Sequence, residues 1–354
     1  MTITLALAGD TMLGRGVAEE LAAAPVPGTL FSEEVREILD GSDLFVLNLE
    51  CCVSDRGARW PDPGKPFFFR APPIAATVLA ELGVDCVTLA NNHALDFGAD
   101  ALADTLANLE AAGVRAVGAG ADLYAAREFA VVGADGLRLA VVGVTDHPED
   151  FAAGPGRPGV ALADLDRGVP GWLTDLVGRA AASSDAVLVT PHWGPNMTSR
   201  PPSHVLRAAP ELLEAGATLV AGHSSHVFHG VAHRIAYDMG DFVDDYAVHP
   251  RLRNDLGLLF LVTLDGPDRP GPDNTGPDNT GPDGPGPGGP GRAEGPGSWV
   301  PVRLEAVPLF LDYCRTAVAR GGEWEWIRDR FTRACAAFGT EVAVEGHRLV
   351  VDWT

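Results

Sequence analysis

The chain has 354 residues, of which 46% are hydrophobic and 21% charged, and carries a formal net charge of −22 at pH 7. That length and apolar content suit one large α/β domain or two smaller ones, and the charge excludes general affinity for nucleic acid or an anionic membrane surface, because both would repel it. No run approaches the ~18 apolar residues of a membrane span, and the start, Met1-Thr-Ile-Thr-Leu, has no basic leader segment, so a cytoplasmic protein is expected.

The first apolar run, Leu5-Ala-Leu-Ala-Gly9, reads as a buried strand ending in Asp10. It leads through a glycine-rich turn, with Arg15 as a candidate anion contact, into a helix over Val17–Ala24. A second helix, Glu33–Leu39, precedes the strand Leu44–Leu49, which ends in Glu50. The stretch Ser54–Pro73 is rich in proline and should be a rigid loop. Its three consecutive phenylalanines, 67 to 69, call for burial over the sheet edge, which makes Lys65 and Arg70 candidate contacts for an anionic substrate. Lys65 is the only lysine in the chain.

After a helix over Ile74–Leu82, the strand Cys86–Ala90 turns abruptly into Asn91-Asn92-His93, with Asp96 one turn further on. A carboxylate so spaced can orient an imidazole for general acid or base work. Helix Ala99–Ala112 and strand Ala116–Gly120 follow, then a hairpin of Glu128–Gly133 and Leu137–Val144 that ends at Asp146-His147, a secondary site candidate. Helix Val169–Ser183 feeds the strand Ala186–Pro191, which runs into His192. Helix Val205–Ala215 leads to the short run Ala217–Ala221, which stops at Gly222 and presents His223 and His226. Gly230–Ala236 and Leu256–Leu264 read as antiparallel partners, with His229 and His233 structural. Residues 266–297 form a low-complexity insert that repeats GPDNT without a collagen period and should be disordered. It interrupts a hairpin whose second arm is Trp299–Leu309. A helix containing Trp324 and Trp326 and a strand from Arg348 to Trp353 close the chain. The five cysteines are odd in number, lack a C-x-x-C spacing and sit mostly in apolar segments, as buried free thiols do. The expected organisation is therefore a main domain at 1–265, the insert, and a segment at 298–354 that completes the same domain.

One pattern recurs along this path. Five apolar runs, each followed by helix or loop, end in Asp10, Glu50, Asn92 with His93, His192, and His223 with His226. Parallel strands would bring their carboxyl ends to one edge of a sheet, the place where α/β folds bind ligands. A mixed oxygen and nitrogen donor set gathered there suits one or two divalent transition metals.

As an ordered set, Gly9-Asp10 with its Met-Leu-Gly-Arg turn, Asn48-Leu-Glu50, Ala90-Asn-Asn-His93 with Asp96 and Gly98, His192-Trp-Gly194, Gly222-His-Ser-Ser-His226 and Tyr237-Asp-Met-Gly-Asp241-Phe242 resemble the CapA family. That family is linked to poly-γ-glutamate capsule synthesis and is similar to calcineurin-like metallophosphoesterases. The resemblance spans about residues 3 to 262. It implies an α/β fold of the four-layer α/β/β/α sandwich type with two divalent metal ions, Mn, Fe or Zn, held by Asp10, Glu50, Asn92, His192, His223 and His226. It also implies that His93, paired with Asp96, protonates or stabilises the reacting group. Two positions depart from the superfamily pattern. Its Asp-x-His is here Asp10-Thr11-Met12, and its bridging aspartate is here the longer Glu50.

Three functions are compatible with this resemblance. The first is metal-assisted hydrolysis of a phosphoester, or of a peptide or γ-glutamyl amide, with a peptide, polyglutamate or phosphorylated small molecule as substrate. The second is a non-catalytic role in capsule assembly or polymer binding. The third is metal-dependent epimerisation of a peptide.

Overall fold

The computed structural model describes residues 1–267 and 299–353. Apart from its first two residues, the low-complexity insert lies outside them. Strand β1 (Thr2–Thr11) is followed by helices α1 (Arg15–Ala23) and α2 (Glu33–Asp40), the latter capped by the Ser32 side chain, which accepts from the Val35 N–H at 3.3 Å. Strand β2 (Leu44–Leu49), helix α3 (Ile74–Glu81), strand β3 (Cys86–Thr88), helix α4 (Gly98–Ala111) and strand β4 (Arg115–Val117) continue a βα alternation. The hairpin β5 (Ala130–Ala134) and β6 (Leu137–Thr145) turns at Asp135 and Gly136, both with positive φ (44° and 93°), as a tight primed turn requires. Then come α5 (Gly171–Ser183), β7 (Ala186–His192), α6 (Ser203–Glu214), β8 (Leu219–Ala221), β9 (Val231–Ala232), β10 (Ile235–Ala236) and β11 (Asp241–Val243). The last elements are β12 (Leu256–Asp265), β13 (Val300–Leu311), β14 (Thr316–Val318), α7 (Gly321–Ala336), β15 (Ala343–Glu345) and β16 (Arg348–Asp352).

These strands form two main sheets, and the five ligand-bearing strand ends are divided between them rather than lying on the edge of one. A mixed ten-stranded sheet runs β15-β16-β13-β12-β1-β2-β3-β4, with β11 also pairing β1 and β14 pairing β13. A six-stranded sheet runs β9-β10-β8-β7-β6-β5. The expected pairing of Gly230–Ala236 with Leu256–Leu264 does not form. Val231–Ala232 instead turns back on Ile235–Ala236 in the smaller sheet, while Leu256–Asp265 lies antiparallel between β1 and β13 in the larger one.

Alternation along the strands decides what lies between the layers. Phe45 and Leu47 of β2 pack against the α1–α4 side, with Val35, Leu79 and Leu102, whereas Val46 points the other way. Val46, with Leu5, Leu7 and Phe260, meets Leu139, Val141 and Leu188 of the second sheet, so the two sheets bury their inner faces against each other. Val187 and Val189 of β7 face outward onto Leu173, Leu176 and Leu212 of α5 and α6. Helix α7 inserts Ile327, Phe331 and Cys335 into the core between the sheets. All five cysteines are buried and free, as expected. Of the three phenylalanines at 67 to 69, only Phe69 is buried and Phe67 is largely exposed, because this loop turns one ring inward rather than folding as a wall. Among the described residues no helix is long and apolar enough to cross a membrane.

Candidate metal centre

The carboxyl ends of strands from both sheets converge on Asp10. The last residues of β1 leave β12 and pair in parallel with β11, which sets Asp10 beside Asp241. This approach needs Gly9, where a Cβ would sit 1.9 Å from the Gly240 carbonyl oxygen. Asp10 is buried, its Oδ1 accepting from Asn48 Nδ2 at 2.7 Å and its Oδ2 from the Ser224 N–H at 3.2 Å. Asn91 Nδ2 donates in turn to Asn48 Oδ1 at 2.9 Å, which locks the two asparagines behind the carboxylate.

From the smaller sheet come the histidines. His192, at the end of β7, and His223, after β8, face each other with Nδ1 atoms 2.9 Å apart, and these lie 3.9 and 3.6 Å from Asp10 Oδ1. His226 Nδ1 is 2.8 Å from Asp241 Oδ1, 3.2 Å from Asp10 Oδ2 and 3.9 Å from Glu50 Oε2. Ser224 and His226 hold positive φ (118° and 58°), a conformation that costs about 1–3 kcal/mol per residue and that here turns a backbone N–H and an imidazole onto Asp10. Two donor groups with ligand atoms within 4.8 Å of one another result, Asp10–His192–His223 and Asp10–His226–Asp241, all buried.

His93 approaches from the β3 side. Its Nδ1 lies 2.6 Å from Asp96 Oδ2, its Nε2 4.0 Å from Glu50 Oε1, and its ring stacks on Phe69 with centroids 4.1 Å apart. The Lys65 ammonium is 3.0 Å from Asp96 Oδ1 and donates to the Asn92 carbonyl at 2.7 Å. Arg15 is drawn away to Asp245 and lies over Phe69 and Tyr246, and Arg70 lies over the Phe97 ring at 4.2 Å. Of the three candidate substrate cations, then, the structure brings Lys65 to the His93–Asp96 pair. The secondary candidate His147 is also near, its ring 5.2 Å from that of His192 beside a cleft of about 430 Å³ that Asn92 lines.

The electrostatics are those of a site built for a cation. Both Glu50 oxygens, Asp241 Oδ2, Asn92 Oδ1 and His192 Nε2 are buried without a hydrogen-bond partner among the described residues, although burying such groups unpaired is expensive. Burial pushes Glu50 well above the carboxylate range, and the Asp10 charge adds to this. Burial likewise raises Asp241. At Asp10 burial acts in the same sense but is outweighed by His226, His223 and Asn48, which hold it below its ordinary value. Burial depresses His223 to about 4 and also holds His192 well below the ordinary imidazole value, favouring the neutral form in which imidazole ligates metal. At His226 burial is overcome by Asp241, Glu50 and Asp10, which raise it. The donor set thus fits a divalent cation.

The profile of the family described as "Bacterial capsule synthesis protein PGA_cap" matches residues 4–246. The chain belongs to this family. A probable polyglutamine synthesis accessory protein of Mycobacterium tuberculosis is 30% identical over 98% of this chain and 95% of its own length. The PGA biosynthesis protein CapA of Bacillus subtilis is 28% identical over 69% of this chain and 63% of its own length, and the capsule biosynthesis protein CapA of Bacillus anthracis is 28% identical over 69% and 60%. Within the PGA_cap match lie all the strand-end residues of the centre, including Asp241, which the sequence reading had placed only in a shared motif and given no role. The signal available for it was the acidic run Asp238, Asp241, Asp244 and Asp245 around an apolar Phe242-Val243. Met12 is buried, and its sulfur accepts the Gly14 N–H at 3.0 Å.

Proposed function

We propose that this PGA_cap-family protein is a two-cation hydrolase acting on a glutamyl or related peptide amide, or on a phosphoester, in poly-γ-glutamate metabolism. We read its three cores as the interfaces of a four-layer α/β/β/α sandwich of the metallophosphoesterase type. The observation that carries the reading is that Glu50 Oε1 and Oε2 and Asp241 Oδ2 are buried without partners among the described residues, beside the cluster of Asp10, His192, His223 and His226. Asp10, His192 and His223 would hold one ion, and Asp10, His226 and Asp241 the other, with Glu50 and Asn92 completing the set. Divalent ions such as Mn, Fe or Zn supply Lewis-acid polarisation of the scissile carbonyl or phosphoryl group. His93 holds or moves a proton at Nε2, the atom facing Glu50, while Asp96 fixes its Nδ1 and Lys65 sets a positive charge beside Asp96. Asn48 and Asn91 keep the Asp10 carboxylate oriented.

A second reading, a binding or assembly role without turnover, is favoured by Met12 standing where a nitrogen ligand is usual and by the word "accessory" in the name of the M. tuberculosis relative. Elemental analysis of the purified protein beside a His223→Ala, His226→Ala variant tests the metal centre. About two equivalents of metal, lost in the variant together with chelator-sensitive release of glutamate from a γ-linked oligomer, are expected. A protein that takes up no metal after reconstitution sinks the hydrolase reading, and metal without turnover leaves the binding role.

A further inference from the structure

On the far side of the loop 194–202 lies a second cleft, of about 650 Å³. Three arginines line it: Arg200 from this loop, and Arg330 and Arg333 from the C-terminal half of α7. Among the described residues no aspartate or glutamate lines it, although the chain carries 48 acidic residues against 26 basic ones. Several arginines elsewhere are paired with carboxylates, among them Arg15 with Asp245, Arg253 with Asp255, Arg303 with Glu305 and Arg320 with Glu34, whereas Arg127 lies over the Trp172 ring with its Nε unpartnered among the described residues. The side chains of Arg200, Arg330 and Arg333 have no hydrogen bond or ion pair among the described residues.

Arg330 is the most informative of the three. Its guanidinium lies over the rings of Phe228 and Trp326, 5.2 and 5.3 Å from their centroids, while its Nε and Nη2 are buried without a partner. Burial pushes its pKa down to about 10, the neighbouring Arg333 adds to this, and the Asp238 charge opposes it. With no carboxylate among the described residues in hydrogen-bond reach of its guanidinium, the half-buried Arg330 leaves its positive charge, with those of the exposed Arg200 and Arg333, to an incoming carboxylate that would form charge-assisted hydrogen bonds. Phe338, Leu206 and the two prolines 201 and 202 supply the apolar remainder, suited to the methylene stems of acidic side chains.

The loop links this cleft to the metal centre. Its first residues, Gly194, Pro195 and Asn196, line the cleft that Asn92 and His147 share, and its last, Ser199 to Pro202, line the arginine cleft. It is pinned between them, since the Met197 N–H donates to the Ser225 carbonyl at 2.9 Å and the Thr198 carbonyl lies 3.0 Å from His229 Nε2. An extended chain crossing this loop would touch both.

We propose that the cleft formed by Arg200, Arg330 and Arg333 is a subsite for the carboxylates of an acidic peptide chain, which it anchors on the opposite side of loop 194–202 from the metal centre. The proposal shares the glutamyl substrate class with the function proposed above but requires neither hydrolysis nor bound metal. A fluorescein-labelled γ-linked glutamate oligomer of about ten residues, whose backbone carries two more atoms per residue and so reaches beyond the ~35 Å of ten α-linked residues, is the probe. Its Kd is measured by fluorescence polarisation with the full chain, and with Arg200→Gln, Arg333→Gln, two exposed positions where the change leaves the fold intact. We expect the double variant to weaken binding about tenfold or more, to lose most of the dependence on NaCl, and to keep the wild-type melting temperature and metal content. Binding should persist in His223→Ala, His226→Ala. An unchanged Kd in the arginine variant overturns the subsite. So does polyphosphate of matched charge displacing the oligomer more strongly than unlabelled oligoglutamate, which would mark a phosphate site. Binding lost only in the histidine variant overturns it too, while leaving the hydrolase reading intact. Arginine-dependent binding with no turnover supports the subsite and counts against hydrolysis.

Discussion

Asp241 and Met12 both lie close to Asp10 in the fold but differ in what they offer a cation. Met12 presents a buried thioether that accepts a backbone N–H, whereas Asp241 brings a carboxylate against His226 from the strand paired with β1. If Asp241 holds a cation, Asp241→Asn removes a charge from one donor group and should weaken metal affinity about 10–100-fold, read by competition with a fluorescent chelator. Met12→Leu conserves volume and should cost less than about 1.5 kcal/mol while leaving metal affinity unchanged. A loss of metal in the Met12 variant equal to that in the Asp241 variant would show that the sulfur is a ligand after all.

The element that sets this geometry is the end of β1. Gly9 lets β1 and β11 approach, so Gly9→Ala must push the Asp10–Asp241 pair apart against the Gly240 carbonyl. Urea denaturation should show a loss of about 1–3 kcal/mol, accompanied by reduced metal content, since one displacement causes both. Loss of stability with full metal occupancy would mean that the pairing does not position the centre. Elements of this kind are only partly legible in a sequence. The strand ends at Asp10, Glu50, Asn92, His192 and His223 stood out because apolar runs there stop at ligand-type residues. The division between two sheets did not, since buried parallel strands of either sheet are apolar on both faces and Phe45-Val46-Leu47 looks the same whichever way its residues point. Asp241 was obscured for the opposite reason: its strand is three residues long and sits in an acidic stretch that reads as a connection. Arg330 could not be singled out at all, because only tertiary packing reveals that it lacks a partner.

At the scale of the whole molecule, a cation held among these buried carboxylates would couple to stability through protons. In the metal-free protein Glu50 and Asp241 are raised well above the carboxylate range and His226 well above the ordinary imidazole value. His93 and His223 are instead depressed to about 4 and His192 is also lowered, so the stability that rests on their neutral forms is complete above about pH 6.5 and contributes no further change. Above about pH 6.5 the unfolded chain has released the protons of these carboxylates and of His226, whereas the folded chain, in which this cluster is raised, gives up its protons only at higher pH. The free energy of unfolding must therefore fall as pH rises through this window. A divalent cation replaces those protons as the counter-charge, so its stabilising effect should grow over the same interval. Thermal melts of chelated and metal-reconstituted protein at pH 7 and 8.5 check this. The chelated form should melt lower at the higher pH, and the gain on adding metal should be larger there. A chelated protein whose Tm is flat or rises, with a metal-induced gain independent of pH, would show that these groups ionise freely in the fold and that the cation does not compete with protons for them.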